Sequence, residues 1–302
     1  MSQQRTDQGE RSNRGSAAGA AAPGAPWLWL SIAAGVLAVA GSVVGLGVGG
    51  FYANLTPAFL PQALAQDVAN LALAAPALLV CAILALRGSL RARLVWLGVL
   101  AFTVYNYVIY TFSIPFGPLF PVWVAVLGLS LFSLIGGIAS TDAGAAAARF
   151  GSRPAAVVTG WSLIVVGVLF GLLWLSEDVP ALVAGTTPQS VLDLGIPTNP
   201  VHILDLAFFL PAVVGTGILL LRRREMAYPV APAFLVFLIL TGVPIMVTPI
   251  VQSVRGETAA WTVLAPIGLL TVLMLVLLAW LLRTVGSPDG AEERSGAGEP
   301  AG

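Results

Sequence analysis

The chain holds one histidine, His202, and an aspartate follows three residues later, Asp205. On a helix that spacing places imidazole and carboxylate on one face. Such a pair suits acid–base chemistry, a proton relay or a cation site. Three nearby acids, Glu177, Asp178 and Asp193, are candidates to join it. The plainer alternative is helix capping: Asn199-Pro200 starts the helix, and Asp205 in its opening turns gains from the helix dipole. No metal is expected, because a lone His-x-x-Asp pair lacks a third and fourth ligand.

A second polar group is Tyr105-Asn106-Tyr107-Val-Ile-Tyr110. Asn106 and Tyr110 share a helical face at i,i+4, while Tyr107 stands alone on another side. Asp67 is the other carboxylate within an apolar stretch. A carboxylate there must face the bundle interior or a wet cavity, because lipid exposure costs a few kcal/mol. Asp67, Asn106, Tyr110, His202 and Asp205 therefore make up the candidate ligand pocket. For the Tyr/Asn cluster, the alternative is an aromatic belt with one Asn bonding a neighbouring helix, worth ~0.6 kcal/mol.

Other chemistry is excluded. The sequence has no Gly-x-Ser-x-Gly elbow, His-Glu-x-x-His or Asp-Asp-x-x-Asp cluster. A single histidine rules out bis-histidine haem, and the single Cys81 rules out a disulfide framework or Cys-rich metal site. No cofactor is implied. Gly45-Leu-Gly47-Val-Gly49-Gly50 is glycine-rich, but no strand precedes it, so close helix packing is the expectation.

The elements that must position these residues follow from composition. Of 302 residues, 58% are hydrophobic and only 9% charged, with mean hydropathy +0.92. Soluble domains carry about a quarter charged residues, so the chain is polytopic and its solvent is the lipid bilayer. Zero net charge argues against nucleic acid as a partner. About 20 apolar residues cross a bilayer as a helix. Eight stretches qualify: Trp27–Gly50, Asp67–Leu86, Leu94–Phe112, Leu119–Ile138, Val157–Leu175, Val201–Leu221, Val230–Val251 and Trp261–Leu282. The fold expected is all-α, a transmembrane bundle of eight helices.

All fourteen basic residues are arginine. With the N-terminus inside, every one except Arg255 falls in a cytoplasmic segment, so both termini are expected in the cytoplasm. The eight tryptophans lie near span ends, as interfacial belts require. The polar tails, residues 1–26 and 283–302, lack apolar residues to bury and are expected to be disordered. Span 7, with Gly242, Pro244 and Pro249, is the expected broken helix.

Pro76-Ala-Leu-Leu-Val-Cys-Ala-Ile-Leu-Ala-Leu-Arg87 aligns without gaps on Pro211-Ala-Val-Val-Gly-Thr-Gly-Ile-Leu-Leu-Leu-Arg222, an offset of 135 residues. Each segment has an acid upstream, Asp67 or Asp205, and further upstream a Thr-Pro pair, Thr56-Pro57 or Thr187-Pro188, suited to start a short helix. Read as a duplication, residues 27–138 and 157–282 form two parallel four-helix repeats. Apolar helices drawing on a small alphabet also match by accident. Each half has one long connection, 51–66 and 176–200, where an interfacial helix or lid is expected.

Tyr105–Tyr110, Pro115-Phe-Gly-Pro-Leu-Phe120 and Leu127–Leu134, with Gln66-Asp67 and Arg87–Arg91 before them, resemble uncharacterised bacterial multi-pass membrane proteins over residues 60–140. That resemblance implies a bacterial plasma membrane and carries no functional residue with it. Two functions remain. One is non-enzymatic binding or transport of a small solute or ion through an outward-facing polar pocket. The other is an intramembrane enzyme acting on a lipid or lipid-linked substrate, with His202 and Asp205 as acid/base groups; a ligand-free accessory subunit is a third.

Overall fold

The computed structural model describes residues 24–286. Eight helices are long and apolar enough to cross a membrane: α1 (Ala25–Gly47), α2 (Phe59–Leu86), α3 (Leu90–Ser113), α4 (Phe120–Ala139), α6 (Arg153–Ala184), α8 (Pro200–Leu221), α9 (Ala227–Val254) and α10 (Trp261–Arg283). Two short helices, α5 (Ala143–Ala148) and α7 (Gln189–Leu194), lie between them. Among the described residues no strand forms, only an isolated bridge between Phe150 and Val285. The protein is an all-α, eight-span integral membrane protein. Its lateral surface displays aliphatic side chains such as Leu169, Leu172 and Val272, as a lipid-facing surface should.

Four spans are several residues longer than the hydropathy pattern indicates, α2 and α6 by the most. Helix α2 starts at Phe59, because Thr56 Oγ1 accepts the Phe59 N–H at 3.2 Å and starts the helix directly. Half of the supposed loop 51–66 is thus helical, and Asp67 lies two turns inside rather than at the end. Helix α6 runs through Pro180 to Ala184. Its 32 residues span about 48 Å against a ~30 Å hydrocarbon core, so its end projects. At the second Thr-Pro pair, Pro188 itself is the cap of α7 and Thr187 makes no cap bond. The expected tails 1–26 and 283–302 lie mostly outside the described residues. The exceptions are ordered: α1 begins at Ala25, and Arg91 and Arg149 hold the carbonyls of Val285 and Gly286 at 2.7 and 2.9 Å.

The expected broken helix is not where the prolines are densest. Helix α9 is continuous through Pro232, Pro244 and Pro249. The breaks fall instead in α2 and α8, as single π-helical turns at Asn70–Ala74 and Asp205–Phe209. Each ends just before a proline, Pro76 or Pro211, whose missing N–H and bulky ring disturb the i→i−4 ladder. The two π turns are 135 residues apart, the same offset as the sequence match.

Within each half the helices pack as a ring. In the first, α1 touches α2 and α4, and α3 touches α2 and α4; in the second, α6 touches α8 and α10, and α9 touches α8 and α10. Gly35 of α1 lies on Leu78 and Leu79 of α2, while Gly167 of α6 lies on Val213 and Val214 of α8. The halves meet along α3 and α9, where a Cβ on Gly98 would strike the backbone of Ala233. Those two positions are themselves 135 apart (233 − 98 = 135). Beneath the sites described next, Phe209 stacks on Phe237 at 4.5 Å and Tyr105 meets both edge-on.

Candidate functional site

Four of the five predicted residues, Asn106, Tyr110, His202 and Asp205, border one cavity, and Asp67 lies outside it. The five divide between two polar groups, both at the end of the bundle opposite the clustered arginines. In the first, Asp67 is 1% exposed. It accepts hydrogen bonds from Ser42 Oγ (2.8 Å), Tyr52 Oη (2.7 Å) and Tyr110 Oη (2.9 Å). One turn on, Asn70 receives Asn106 Nδ2 at 3.1 Å and Gln66 Nε2 at 3.3 Å. Tyr107 is not isolated: it stacks on Tyr110 at 5.4 Å, and Trp123 packs edge-on against Tyr110 from the other side. Burial, with the Asp67 carboxylate beside it, pushes the Tyr52 phenol far above its ordinary value, so Tyr52 stays a neutral donor. Gly45 is required here, since any Cβ would collide with the Asp67 carboxylate and the Tyr52 hydroxyl. Of the glycine run at the end of α1, only Gly45 is a packing position; Gly47, Gly49 and Gly50 face open space, contrary to the expectation. Asp67 is enclosed, and its hydrogen-bonding capacity is met by protein.

The second group is built on α6 and α8. Asn199 Oδ1 caps α8 at the Val201 and His202 amides (3.0 and 3.4 Å), which orients the first turn. His202 Nδ1 lies 2.9 Å from Asp178 Oδ1, and its Nε2 lies 3.9 Å from Glu177. The Trp174 indole stacks on the imidazole at 4.6 Å and donates its N–H to Asp205 Oδ2 at 2.8 Å. One aromatic ring thus links the two polar residues. Glu177 also accepts the Ser190 N–H at 2.9 Å, and Asn199 Nδ2 reaches Ser190 Oγ at 3.1 Å. These contacts fix α7 above the site. Of the three flanking acids, Glu177 and Asp178 reach His202, whereas Asp193 accepts from Gln189 within α7. Among the described residues, no three His, Cys, Asp or Glu side chains are arranged to hold a metal ion.

Beside this second group lies a cavity of about 580 Å³, a size that accommodates a small organic molecule. Asn106, Tyr110, His202 and Asp205 line it; Asp67 does not. The remaining wall is largely apolar and aromatic, drawn from α2, α3, α6, α8, α9 and α10. Trp174 is absent from the sequence-based candidates, whereas Tyr105 belongs to the expected polar cluster and Glu177 to the flanking acids. A tryptophan near a span end reads as a belt residue, and that expectation fails at three positions. Trp96 and Trp123 are buried in the core, Trp96 donating to Ser31 Oγ at 2.8 Å, and Trp174 turns towards Asp205.

Equivalent positions explain why one group is closed and the other open. At the 135-residue offset, Asp67 falls on His202 and Asn70 on Asp205, so the two carboxylates are one turn out of register rather than counterparts. Between α1 and α6 the packing glycines give an offset of 132 (167 − 35 = 132), which sets Ser42 on Trp174 and Gly45 on Glu177. Along α3 and α9, Tyr107 and Tyr110 correspond to Gly242 and Ile245. Tyr107 and Tyr110 pack around Asp67, and Tyr110 also borders the cavity. A glycine and an isoleucine leave the space beside Asp205 open.

Fold and site therefore define a class: an eight-span, all-α membrane protein with a cavity opening beside a buried carboxylate. Comparison with family models, curated proteins and solved structures gives no match.

Proposed function

We propose that this is a binding or transport protein that takes a small amphipathic molecule into the cavity beside Asp205, from the side of the membrane opposite the arginine-rich end. The observation that carries this reading is the cavity itself, with one buried carboxylate set in a mainly apolar wall. Arginine segregation supports an outward-facing opening in a bacterial plasma membrane. The shared offset of the sequence match, the π turns and the Gly98–Ala233 contact supports a duplicated chain whose two halves both contribute to the cavity wall.

Native mass spectrometry from a mild detergent tests the reading. Wild-type protein should carry a small-molecule adduct. Ile245→Tyr, which places in the cavity the residue found at the equivalent position 110, should not. An adduct that persists unchanged in Ile245→Tyr, or a bare mass for wild type across several mild detergents, would sink it.

One observation favours an enzyme instead: the His202–Asp178 pair at 2.9 Å is how a general base is oriented. That reading requires a lipid-derived product to accumulate over time in reconstituted vesicles and to vanish in His202→Gln. Stable ligand retention without turnover decides for the binding protein.

A further inference from the structure

Resting on the cavity reading, we infer that the ligand is an organic cation: one positive charge on an apolar or aromatic body. Three properties of the site point the same way. The first is charge. Asp205, Glu177 and Asp193 line the cavity, and no arginine does. Every described arginine except Arg255 belongs to the opposite end, and Arg255 is bound to Glu257 at 2.7 Å. His202 is the one basic group in the wall, and it is held by Asp178 at 2.9 Å, with Glu177 on its other nitrogen. An anion entering here would meet carboxylates without a counter-charge.

The second property is the way Asp205 is held. It is 8% exposed and borders the cavity, held by the Trp174 N–H at Oδ2 (2.8 Å) and faced by the Tyr105 hydroxyl, both of them neutral donors. Asp67 differs, because three hydroxyl donors enclose it and it does not border the cavity. A carboxylate kept in an apolar surround and held only by neutral donors is compensated best by a charge of opposite sign.

The third property is the aromatic lining. Tyr105, Phe170, Trp174 and Phe237 all border the cavity. Ring faces attract a desolvated cation, and most strongly a diffuse one such as a quaternary ammonium or phosphonium. A bare metal ion fits poorly. It requires several oxygen, nitrogen or sulfur ligands at short range, which this wall does not group together. A neutral amphiphile would fill the volume but leave Asp205 uncompensated.

The test is equilibrium dialysis of the full chain in nonionic detergent with radiolabelled tetraphenylphosphonium. Tetraphenylborate, which has the same shape and opposite charge, serves as competitor. We expect saturable binding of one phosphonium per chain, at least a tenfold loss of affinity in Asp205→Asn, a severalfold loss in Trp174→Leu, and no competition by the borate. Monodispersity and thermal unfolding accompany each variant, and Trp174→Leu decides if Asp205→Asn does not fold. Equal competition by tetraphenylborate would overturn the cation assignment, as would unchanged binding in Asp205→Asn. If either occurs while Ile245→Tyr still abolishes binding, the cavity reading stands and only the charge is wrong. Phosphonium binding indifferent to both Asp205→Asn and Ile245→Tyr places the site elsewhere and removes both. No phosphonium binding at all, in protein that retains its native adduct, overturns the cation alone.

Discussion

The two buried aspartates should respond to substitution in opposite ways. Asp67 accepts three hydroxyl hydrogen bonds of 2.7–2.9 Å inside a closed shell. In water-soluble proteins a hydrogen bond to a charged group contributes about 1.5–3 kcal/mol. Within membranes, interhelical hydrogen bonds average ~0.6 kcal/mol, because the unfolded helices also find partners. Three bonds then give roughly 2 kcal/mol at the lower rate and several times that at the upper. Asp67→Ala also leaves three buried hydroxyls without their acceptor, so a loss of about 2–5 kcal/mol is expected, a fall in Tm on the order of 10 °C for a chain of this size. Asp67→Asn should cost less, because hydroxyls can rotate to accept from the new amide. In the fraction that remains folded, ligand affinity should be unchanged, since Asp67 does not line the cavity. Asp205→Asn should behave conversely. It keeps the Trp174 N–H bond to an amide oxygen and changes Tm little, but loses the ligand. Thermal unfolding in detergent, followed by size exclusion and paired with phosphonium dialysis, measures both quantities on one preparation. The reasoning is refuted if Asp67→Ala is as stable as wild type, or if folded Asp67→Asn loses the ligand.

Further outcomes follow from single contacts. Gly98→Val forces a branched side chain against the Ala233 backbone and Val236, and should destabilise the protein by about 1–3 kcal/mol in thermal or SDS unfolding; a neutral result would argue against the α3–α9 seam. Asn199→Ala removes the α8 cap and the tie to Ser190, at a cost of about 0.5–2 kcal/mol, with faster amide exchange confined to α7 and the first turn of α8. Trp174→Phe keeps a ring over His202 but loses the N–H to Asp205, so it should weaken phosphonium binding less than Trp174→Leu does. For topology, in a Cys81→Ala background an impermeant maleimide applied to intact cells should label Ser253→Cys and spare Arg153→Cys; the reverse pattern would invert the orientation.

Much of the architecture is written in one-dimensional quantities. Span number follows from apolar length, and the sorting of arginines follows from counting charges between spans. Pro76 and Pro211, 135 residues apart, mark where α2 and α8 break, although prolines are densest in α9, which is continuous. A proline at the start of a turn disrupts the ladder when the residues before it must continue a helix, and only the fold shows which helices are under that demand. The ends of α2 and α6 differ from the hydropathy limits for a related reason. Hydropathy measures the lipid-soluble portion of a helix, whereas capping by Thr56 and packing set its length.

The site was legible as a set of residue types, but the exclusion of Asp67 from it was not. Asp67 and Asp205 look alike along the chain: each is a carboxylate at the start of an apolar helix, upstream of matching proline segments. Their difference is decided by atoms from other helices. Tyr52, Tyr107, Tyr110 and Trp123 close over the first, whereas Gly242 and Ile245 leave space beside the second. Trp174 carries the same lesson, since a tryptophan near a membrane boundary serves equally as a lipid anchor or as a donor to a buried carboxylate. Sequence sets what a side chain is able to do and roughly how deep it lies. Which neighbour it meets depends on the rotation of each helix about its axis, and packing of the assembled bundle alone determines that.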